Sequence, residues 1–344
     1  MKVCQQLQPI GGVEMNRTVS IQRRSVKAAP SVNGAEKKRS WLNAVKLHTR
    51  RIAIELLNLL INHDLLFWLV GLVNKKVNLI ESVFLVYPAN EKYALAYVYP
   101  CRLPKVKWNP IPGGLLWQNG KLTVMFMISA TNGQFTDPQN TENLRRMSDR
   151  MERLRQLFGA RRKTFAGIVP GVLYAGKIIR EAPEADLTAQ AVAQAIDSVK
   201  VEESLGDDTP VIILGGRGFI GRRVIGLLKD SNVFSIDSSD GQGSKDWPNH
   251  LRGQRVIVVN ITLNNALKDY LDVIWPGTVV INEVYPEPNS AILERLKNNG
   301  CSCHHVVGVQ ANAFPSFPAA YHGAIPCCAA WPSSEMKVVV RRIV

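Results

Sequence analysis

One short segment, residues 211–228, constrains the fold of this chain more than any other. Its sequence, VIILGGRGFIGRRVIGLL, takes a β-branched strand directly into Gly216, Gly218 and Gly221 with the spacing GxGxxG, followed by a helical apolar pattern. In such a strand–turn–helix unit the first glycine permits a tight turn, the second lets a pyrophosphate approach the backbone, and the third lets helix and strand pack closely. The amide groups at the start of the helix then face the phosphates. The segment therefore predicts a dinucleotide-binding turn.

An acidic residue follows where this kind of unit requires one. A second apolar strand, 233–236, ends in Asp237, sixteen residues after Gly221. A carboxylate there accepts hydrogen bonds from the adenine ribose and repels the 2′-phosphate of NADP, so NAD is the expected cofactor and NADP the alternative. The apolar runs 256–259 and 278–282 suit further strands of a parallel sheet covered on both faces. The predicted cofactor-binding residues are Gly215, Gly216, Arg217, Gly218, Phe219, Ile220, Gly221, Asp237, Asn260 and Thr262.

Length and composition are those of a folded, globular protein and exclude a polytopic membrane protein. The chain has 344 residues, 46% hydrophobic and 20% charged, which is enough for about two domains. We predict a Rossmann-like doubly wound parallel sheet with a smaller mixed N-terminal domain and a disordered basic tail. The alternative is a sheet of this type that binds no nucleotide. The predicted segments are the tail at 1–45, an apolar or amphipathic helix at 46–74, a mixed α/β substrate domain at 75–199, the dinucleotide-binding domain at 200–310, and a segment at 311–344 that packs back on the N-terminal domain.

Most of the positive charge lies at the N-terminus. The net charge is +14, and residues 1–51 hold eleven Lys or Arg against Glu14 and Glu36, a net of +9 that leaves +5 for the rest. Such a segment is typical of a solvated tail; contact with anionic lipid or an acidic partner, and organelle targeting, are left open. The basic–aromatic alternation of nucleic-acid modules is missing, so no nucleic-acid partner is expected. Six cysteines without disulfide-like spacing favour a reduced, cytoplasmic protein.

The most apolar stretch, residues 52–73, approaches the length of a membrane-spanning helix. The polar side chains that interrupt it are Glu55, Asn58, Asn62, His63 and Asp64. A carboxylate in mid-membrane costs about 2.5–3.5 kcal/mol, which argues against a span. One interpretation is a helix packed on the core. The other is an interfacial helix that rests on a membrane or opens toward an apolar substrate, so peripheral membrane contact is left open.

An amphipathic pattern follows Asp137-Pro138, where an Asp cap and a proline at the first helical position predict the start of a helix that ends at Gly159. Its apolar face consists of Leu144, Met147, Met151, Leu154 and Phe158. Its arginine-rich face suits either an acidic protein or phosphate, or plain solvation beside interleaved acidic residues. Before this helix, short strands are predicted at 83–87, 93–99 and 121–129.

Two resemblances extend the interpretation. The segment 276–301, PGTVVINEVYPEPNSAILERLKNNGC, resembles the strand, Tyr-Pro turn and helix of shikimate-dehydrogenase-like NAD(P)-binding domains. The order of pieces over residues 118–331 is similar to the long-chain acyl-carrier-protein reductases of cyanobacteria: Phe-Ala-Gly at 165–167, a helix, the glycine turn, the Tyr-Pro turn and a Cys-containing C-terminal helix. That resemblance implies reduction of a carrier- or CoA-bound acyl thioester to an aldehyde, usually with NADPH, which conflicts with Asp237. The Asn-Val-Thr-x-Pro-x-Lys motif of shikimate dehydrogenases is absent from the sequence, so shikimate is not the expected substrate.

Cysteines and histidines concentrate near the C-terminus. The reductase resemblance implies an acyl-enzyme on a cysteine of the C-terminal helix, a place that Cys327 occupies, and His322 is a candidate base. A thiol at a helix N-terminus has a lowered pKa, which favours this role. The alternative is that Cys327 and Cys328 are buried packing residues. A metal site at 301–305, CSCHH, is disfavoured because it lacks paired ligand spacing and because strand alternation separates the cysteines from His304.

Together these features predict an NAD(P)-dependent oxidoreductase, a homo-oligomer in the cytoplasm, that acts on an acyl thioester through Cys327 and holds no metal. An acidic carrier protein is the partner that such a substrate implies. Two alternatives stay open: a noncovalent NAD-dependent dehydrogenase of a small ketone, imine or hydroxy acid, and a non-catalytic NAD-binding sensor or scaffold.

Overall fold

The computed structural model describes residues 33–88, 90–228, 232–237, 246–262, 266–285, 287–317, 321–331 and 336–344. The chain divides into two compact units, Met1–Lys46 and Leu47–Val344, and both sheets belong to the second. A helix begins at Asn33, inside the segment predicted as a tail, and residues 1–32 of that prediction lie outside the described residues.

The helices of the described residues are α1 Asn33–Ile61, α2 Asp64–Val77, α3 Glu91–Leu95, α4 Leu103–Val106, α5 Asn132–Phe135, α6 Thr141–Phe158, α7 Val169–Ala175, α8 Pro183–Glu202, α9 Gly221–Leu227, α10 Leu267–Tyr270 and α11 Ser290–Asn298. The strands are β1 Ile80–Val86, β2 Ile111–Gln118, β3 Lys121–Met127, β4 Arg162–Phe165, β5 Val211–Leu214, β6 Val233–Ile236, β7 Ile257–Asn260, β8 Val279–Asn282, β9 Ser302–Gln310, β10 Asn312–Phe314, β11 Ala324–Ile325 and β12 Val338–Arg342. The predicted mixed α/β class is confirmed.

The larger sheet starts with the strand before the glycine turn. Its order is β6-β5-β7-β8-β9, all parallel, and β11 and β12 both pair antiparallel with β9. Strands β5, β7 and β8 are buried along their whole length, as expected for strands covered on both faces. The carboxyl ends of the five parallel strands therefore share one edge of this sheet.

The smaller sheet contains five strands in the order β10-β2-β3-β1-β4. Strand β1 runs parallel to β3 and β4, whereas β2 pairs antiparallel with β3, and β10 with β2. Since β10 comes directly after β9, the C-terminal part of the chain contributes strands to both sheets.

Helix α8 packs against both sheets, because it contacts β4 on one side and β9 and β12 on the other. Its most buried face is made of small and branched side chains, which let the backbone approach the strands closely. Those residues are Ala189, Ala191, Val192, Ala195, Ile196 and Val199. Helix α8, which lies mostly within the segment predicted as the substrate domain, thus joins the two sheets into one core.

Two local predictions were wrong. The stretch 93–99, predicted as a strand, instead contains α3, whose start is capped by the Asn90 side chain accepting a hydrogen bond from the Tyr93 amide at 3.3 Å. The apolar stretch 52–73 is not one helix but the end of α1 and most of α2, which meet at an angle of 76°. Among the described helices, no single one has the length and apolarity to cross a membrane; only this bent pair, taken together, meets that test.

The helix predicted after Asp137 is confirmed as a short 3-10 turn followed by α6, which ends at Gly159 with φ 61°. Its arginines are interleaved with acidic partners: Arg146 lies 3.1 Å from Glu142, and Arg155 lies 2.7 Å from Glu152. Paired charges on an exposed face contribute little stability.

Candidate functional site

The glycine-rich turn is held tightly at the end of β5. The Gly215 amide, at φ 87°, donates to the Ile236 carbonyl at 2.8 Å, and the Gly218 amide donates to the Gly215 carbonyl at 2.9 Å. A Cβ on Gly221 would lie 2.1 Å from that same carbonyl oxygen, so only glycine fits where α9 starts against the turn. This geometry agrees with the close helix–strand packing predicted for the third glycine of the pattern.

The ends of the neighbouring strands close around the turn. Asp237 follows β6, and its Oδ2 accepts a hydrogen bond from the Arg217 amide at 3.2 Å. Thr262 follows β7 and packs against Gly215, where a Cβ on the glycine would meet the Thr262 Cβ at 3.1 Å. A cavity opens at this edge of the sheet. The predicted cofactor-binding residues that line it are Gly215, Gly218, Phe219, Ile220, Asp237 and Thr262.

Four other predicted cofactor contacts lie behind the lining of this cavity or outside it. Gly216 and Gly221 are buried in the packing of the turn, and Arg217 is exposed beside it. Asn260 is wholly buried: its Oδ1 accepts from the Thr262 amide at 3.3 Å, and its Nδ2 donates to Asn282 Oδ1 at 2.9 Å. Because its side chain does not reach the cavity, Asn260 positions Thr262 rather than contacting a ligand.

Asn260 belongs to a buried polar row that crosses three strands. Asn260, Asn282 and His305 stand side by side in register on β7, β8 and β9. The Asn282 Nδ2 donates to the Val284 carbonyl at 2.7 Å, and His305 Nδ1 lies 2.9 Å from the Asn282 carbonyl oxygen. Burial lowers the pKa of His305, which keeps its imidazole neutral near pH 7. Because these buried polar groups are hydrogen-bonded, the row holds the carboxyl edge of the sheet rigid.

The cavity at this edge has a volume of about 1020 Å³, at the upper end of the size that ligand sites usually have. Both sheets contribute to it through the segments that follow their parallel strands: Gly215, Asp237 and Thr262 from the larger sheet, and Tyr87 and Gly167 from the smaller. Its walls are mostly apolar and aromatic. The additional apolar lining residues include Val86, Met125, Met127, Ile128, Val172, Ile261, Val306 and Phe317.

Two carboxyl groups with strongly perturbed acidity line this cavity. Glu283, the residue directly after β8, is partly accessible, and desolvation raises its pKa to about 7. Glu184, in the first turn of α8, is buried; desolvation raises its pKa to about 7 as well, although its Oε1 accepts from the Phe165 amide at 3.1 Å. Its Oε2 has no hydrogen-bond partner among the described residues. Acids with a pKa near 7 are suited to exchanging protons with a substrate.

The structure changes the setting predicted for Cys327. No helix starts there: residues Cys327–Ala329 form a three-residue 3-10 turn. Burial, together with the nearby charge of Glu283 and the Cys328 thiol, raises the pKa of Cys327 far above its usual range. Cys327 does line the cavity, but it is a buried, protonated thiol and not the thiolate expected from a helix N-terminus.

The predicted base, His322, is not in a position to serve Cys327. It is exposed, in a turn with φ 45°, and is not among the residues that line the cavity. The two glutamates, whose pKa values are raised to about 7, were not selected by the sequence analysis. One signal was available, since Glu283 stands at the end of an apolar strand, next to Asn282.

The CSCHH segment, residues 301–305, makes several contacts within the protein. Cys301 donates to the Trp275 carbonyl at 3.3 Å, burial raises the pKa of Cys303 to about 12, and His304 Nε2 lies 2.8 Å from Glu203 Oε1. Within the described ranges, no three or more His, Cys, Asp or Glu side chains are grouped so as to hold a metal ion.

Comparison with models of known protein families and with curated proteins found no match for this chain.

Proposed function

We propose that this protein is an NAD-dependent oxidoreductase in which a Rossmann-like doubly wound sheet holds the cofactor. The order β6-β5-β7-β8-β9 supports this, because it corresponds to the doubly wound order 2-1-3-4-5. In such sheets the ligand lies outside the carboxyl ends of the strands, at the point where the strand order reverses. Here that point lies between β5 and β7, where Gly215 and Thr262 meet.

A single observation carries the proposal: the glycine turn and a protonatable glutamate face the same apolar cavity. Gly215, Gly218 and Thr262 line the same cavity as Glu283 and Cys327. A scaffold that only bound a nucleotide would not need an acid with a pKa near 7 in that cavity. The proposed activity uses the cavity for both cofactor and substrate.

The residues that would hold the cofactor are those whose geometry fits it. The Gly215–Gly221 turn leaves no room for a Cβ at its third glycine and presents backbone at the cavity wall, Asp237 would take the ribose hydroxyls, and Thr262 flanks the turn. When bound, the cofactor supplies or accepts a hydride. The apolar walls exclude water, which favours hydride transfer to a carbonyl carbon.

Glu283 supplies the proton in the proposed reaction. In reduction, hydride adds to the carbonyl carbon and the protonated Glu283 gives its proton to the oxygen, so that a carbonyl compound, NADH and a proton yield an alcohol and NAD⁺. In oxidation the Glu283 carboxylate accepts that proton. With a pKa of about 7, this side chain is present in both forms at neutral pH.

The basic test is binding and turnover by the full chain. We expect calorimetric titration with NADH to give saturable binding, and NADH oxidation with apolar ketones or aldehydes as substrates. Binding without turnover of ketones, imines, hydroxy acids or acyl thioesters would favour the sensor or scaffold alternative.

Cofactor preference should depend on the charge of Asp237. Asp237→Asn keeps an acceptor for the Arg217 amide and removes the charge that opposes a 2′-phosphate, so we expect the ratio of NADPH to NADH affinity to rise about tenfold, equal to about 1.4 kcal/mol. Calorimetry with both nucleotides measures this ratio. Asp269→Ala, which removes an exposed carboxylate on α10, is the control and should leave the ratio unchanged. An unchanged ratio in Asp237→Asn would show that this carboxylate does not face the ribose.

A second candidate is reduction of an acyl thioester through Cys327, which lies in the same cavity as Glu283. The carboxylate of Glu283 would take the thiol proton, and the Cys327 thiolate would attack the acyl carbon and displace the substrate's thiolate, which takes up one proton from solvent. The acyl group would remain on Cys327. Hydride addition would then release an aldehyde, and the leaving thiolate of Cys327 would recover the proton. Overall, one thioester, one NADH and one proton would yield an aldehyde, a free thiol and NAD⁺.

Cys327→Ser separates the two candidates. Under the covalent route, we expect acyl-thioester reduction and trapping of a radiolabelled acyl group to disappear, with NADH affinity unchanged. Cys328→Ser, at the adjacent cavity residue, is the control and should retain activity. Full activity in the variant that combines Cys327→Ser with Cys328→Ser would leave the noncovalent dehydrogenase as the function.

A further inference from the structure

Helix α2 exposes an apolar stripe on the face that does not pack on the protein. Leu65, Trp68, Leu69, Leu72 and Val73 follow the spacing i, i+3, i+4, i+7 and i+8, and all are exposed, Leu65 at 68% and Val73 at 60%. The opposite face is buried and packs on α6. Because α2 is anchored through that buried face, the exposed stripe is a second apolar surface on one helix.

The end of α1 carries a matching stripe. Ile52, Leu56, Leu59 and Leu60 recur at i, i+4, i+7 and i+8, and Leu59 and Leu60 are each 69% exposed. Isolated exposed leucines are ordinary on soluble proteins, but two consecutive helices that each expose a periodic stripe mark an interaction surface. We call these nine residues the α1–α2 apolar surface.

The charges around this surface leave an excess of positive charge. Asp64 is held between Arg150 at 2.8 Å and Arg153 at 2.6 Å, and the hydrogen bond from Arg150 lowers its pKa. At the far end of α2, Lys75 and Lys76 are both exposed. Glu55 on α1 is paired with Arg102 at 2.8 Å. The two carboxylates are thus outnumbered by cations, and such a rim attracts an anionic surface.

The α1–α2 apolar surface also lies next to one wall of the cavity. Arg51 Nε donates to the Leu95 carbonyl at 2.8 Å, and the Arg50 guanidinium lies over the Tyr97 ring at 5.1 Å. Tyr93 and Tyr97 are also among the residues that line the cavity. A surface that rests on lipid here would bring an apolar substrate to this wall.

We propose that the α1–α2 apolar surface docks on an anionic lipid membrane, with its apolar side chains inserted among the lipids and Lys75 and Lys76 on the headgroups. Leu, Ile and Trp on one face with lysines at the edge are the composition of helices that lie in the membrane interface. A lipid surface accommodates two helical ridges that meet at 76°, whereas a protein partner would need a groove bent to match. The docking stands on the exposed surface and does not require the proposed function; the delivery of an apolar substrate rests on it.

The test is flotation of the full chain with vesicles of phosphatidylcholine alone or mixed with phosphatidylserine at about 3:1, without cofactor. We expect binding to the anionic vesicles that weakens at least tenfold in Leu69→Glu/Val73→Glu and also falls in Lys75→Glu/Lys76→Glu. Val201→Glu, at a valine 82% exposed on α8, and Lys297→Glu, at an exposed lysine on α11, are the matched controls and should bind like the wild type. Unchanged circular dichroism and NADH affinity show that the variants are folded.

Several results would overturn this inference. If the wild-type chain does not float with anionic vesicles, the surface does not dock on lipid. If binding persists in Leu69→Glu/Val73→Glu, it resides elsewhere, for example in the basic N-terminal segment. Equal losses in the control variants would make the effect one of charge alone. Self-association of the wild type that Leu69→Glu/Val73→Glu abolishes, without vesicle binding, would assign the surface to a second copy of the chain.

Discussion

Replacing Gly221 by alanine should weaken NADH binding at least about 100-fold, whereas the same change at Gly226 should leave it intact. A Cβ at position 221 would lie 2.1 Å from the Gly215 carbonyl oxygen and 2.7 Å from the Gly216 Cα, so the turn must move away from its present path. We expect the shift to cost about 1–3 kcal/mol of folding stability as well. Calorimetric titration and thermal unfolding measure the two effects.

Gly226 is a close control because it lies on the same helix, α9. A Cβ there meets no atom within 4 Å, and alanine in a helix should stabilise the protein by about 0.5–1 kcal/mol. If Gly221→Ala binds NADH as tightly as Gly226→Ala does, the turn is not where the nucleotide binds, and the proposed function loses its main support.

Glu283→Gln should lower the rate of NADH-dependent reduction by about 100- to 10,000-fold, the usual contribution of a positioned general acid. Glutamine keeps the size and polarity of the side chain but cannot release a proton. The affinity for NADH should remain near that of the wild type, because Glu283 is not part of the glycine turn. Steady-state kinetics and calorimetry separate the two quantities. Glu294→Gln, at an exposed glutamate on α11, should have no effect.

The pH dependence of the wild type gives a second readout of Glu283. Since burial raises its pKa to about 7, the acid form that donates a proton is lost as pH rises through 7. Reduction should therefore slow above pH 7, and oxidation, which needs the carboxylate, should speed up over the same range. Glu283→Gln should remove both dependences. A reduction rate that stays constant from pH 6 to 8 in the wild type would exclude this carboxyl as the proton donor.

The strands around the glycine turn were predictable because their signals are local. A run of β-branched residues that ends in a glycine turn or a polar residue predicted β5 before the glycine turn, β6 with its observed bounds, and β7 and β8 to within a residue. The error at 93–99 has a local cause too: Tyr and Val favour a strand, but the Asn90 cap starts a helix before them. A cap outweighs side-chain propensity over so short a stretch.

The chemistry of the site was less predictable, because it depends on contacts between distant parts of the chain. Glu184 and Glu283 acquire a raised pKa only when the two sheets enclose them. Cys327 was selected from the reductase resemblance, and the helix N-terminus expected there is replaced by three residues of 3-10 turn. Local sequence patterns do not show which side chains from distant parts of the chain will be removed from water together. The glycine turn could be found by its spacing, whereas the acids required the fold.

The pairing of β10 with β2 limits how ligands reach the cavity. Strand β9 ends at Gln310 in the larger sheet, and β10 begins at Asn312 in the smaller, so only Ala311 separates the two sheets along the backbone there. A movement of the two sheets away from each other as rigid bodies would strain this one-residue connection or break the pairing of Ala313 with Leu116. A rigid separation of the two sheets at this point is therefore disfavoured, and a ligand would enter the cavity past short elements such as α3, whose Tyr93 and Ala94 line it.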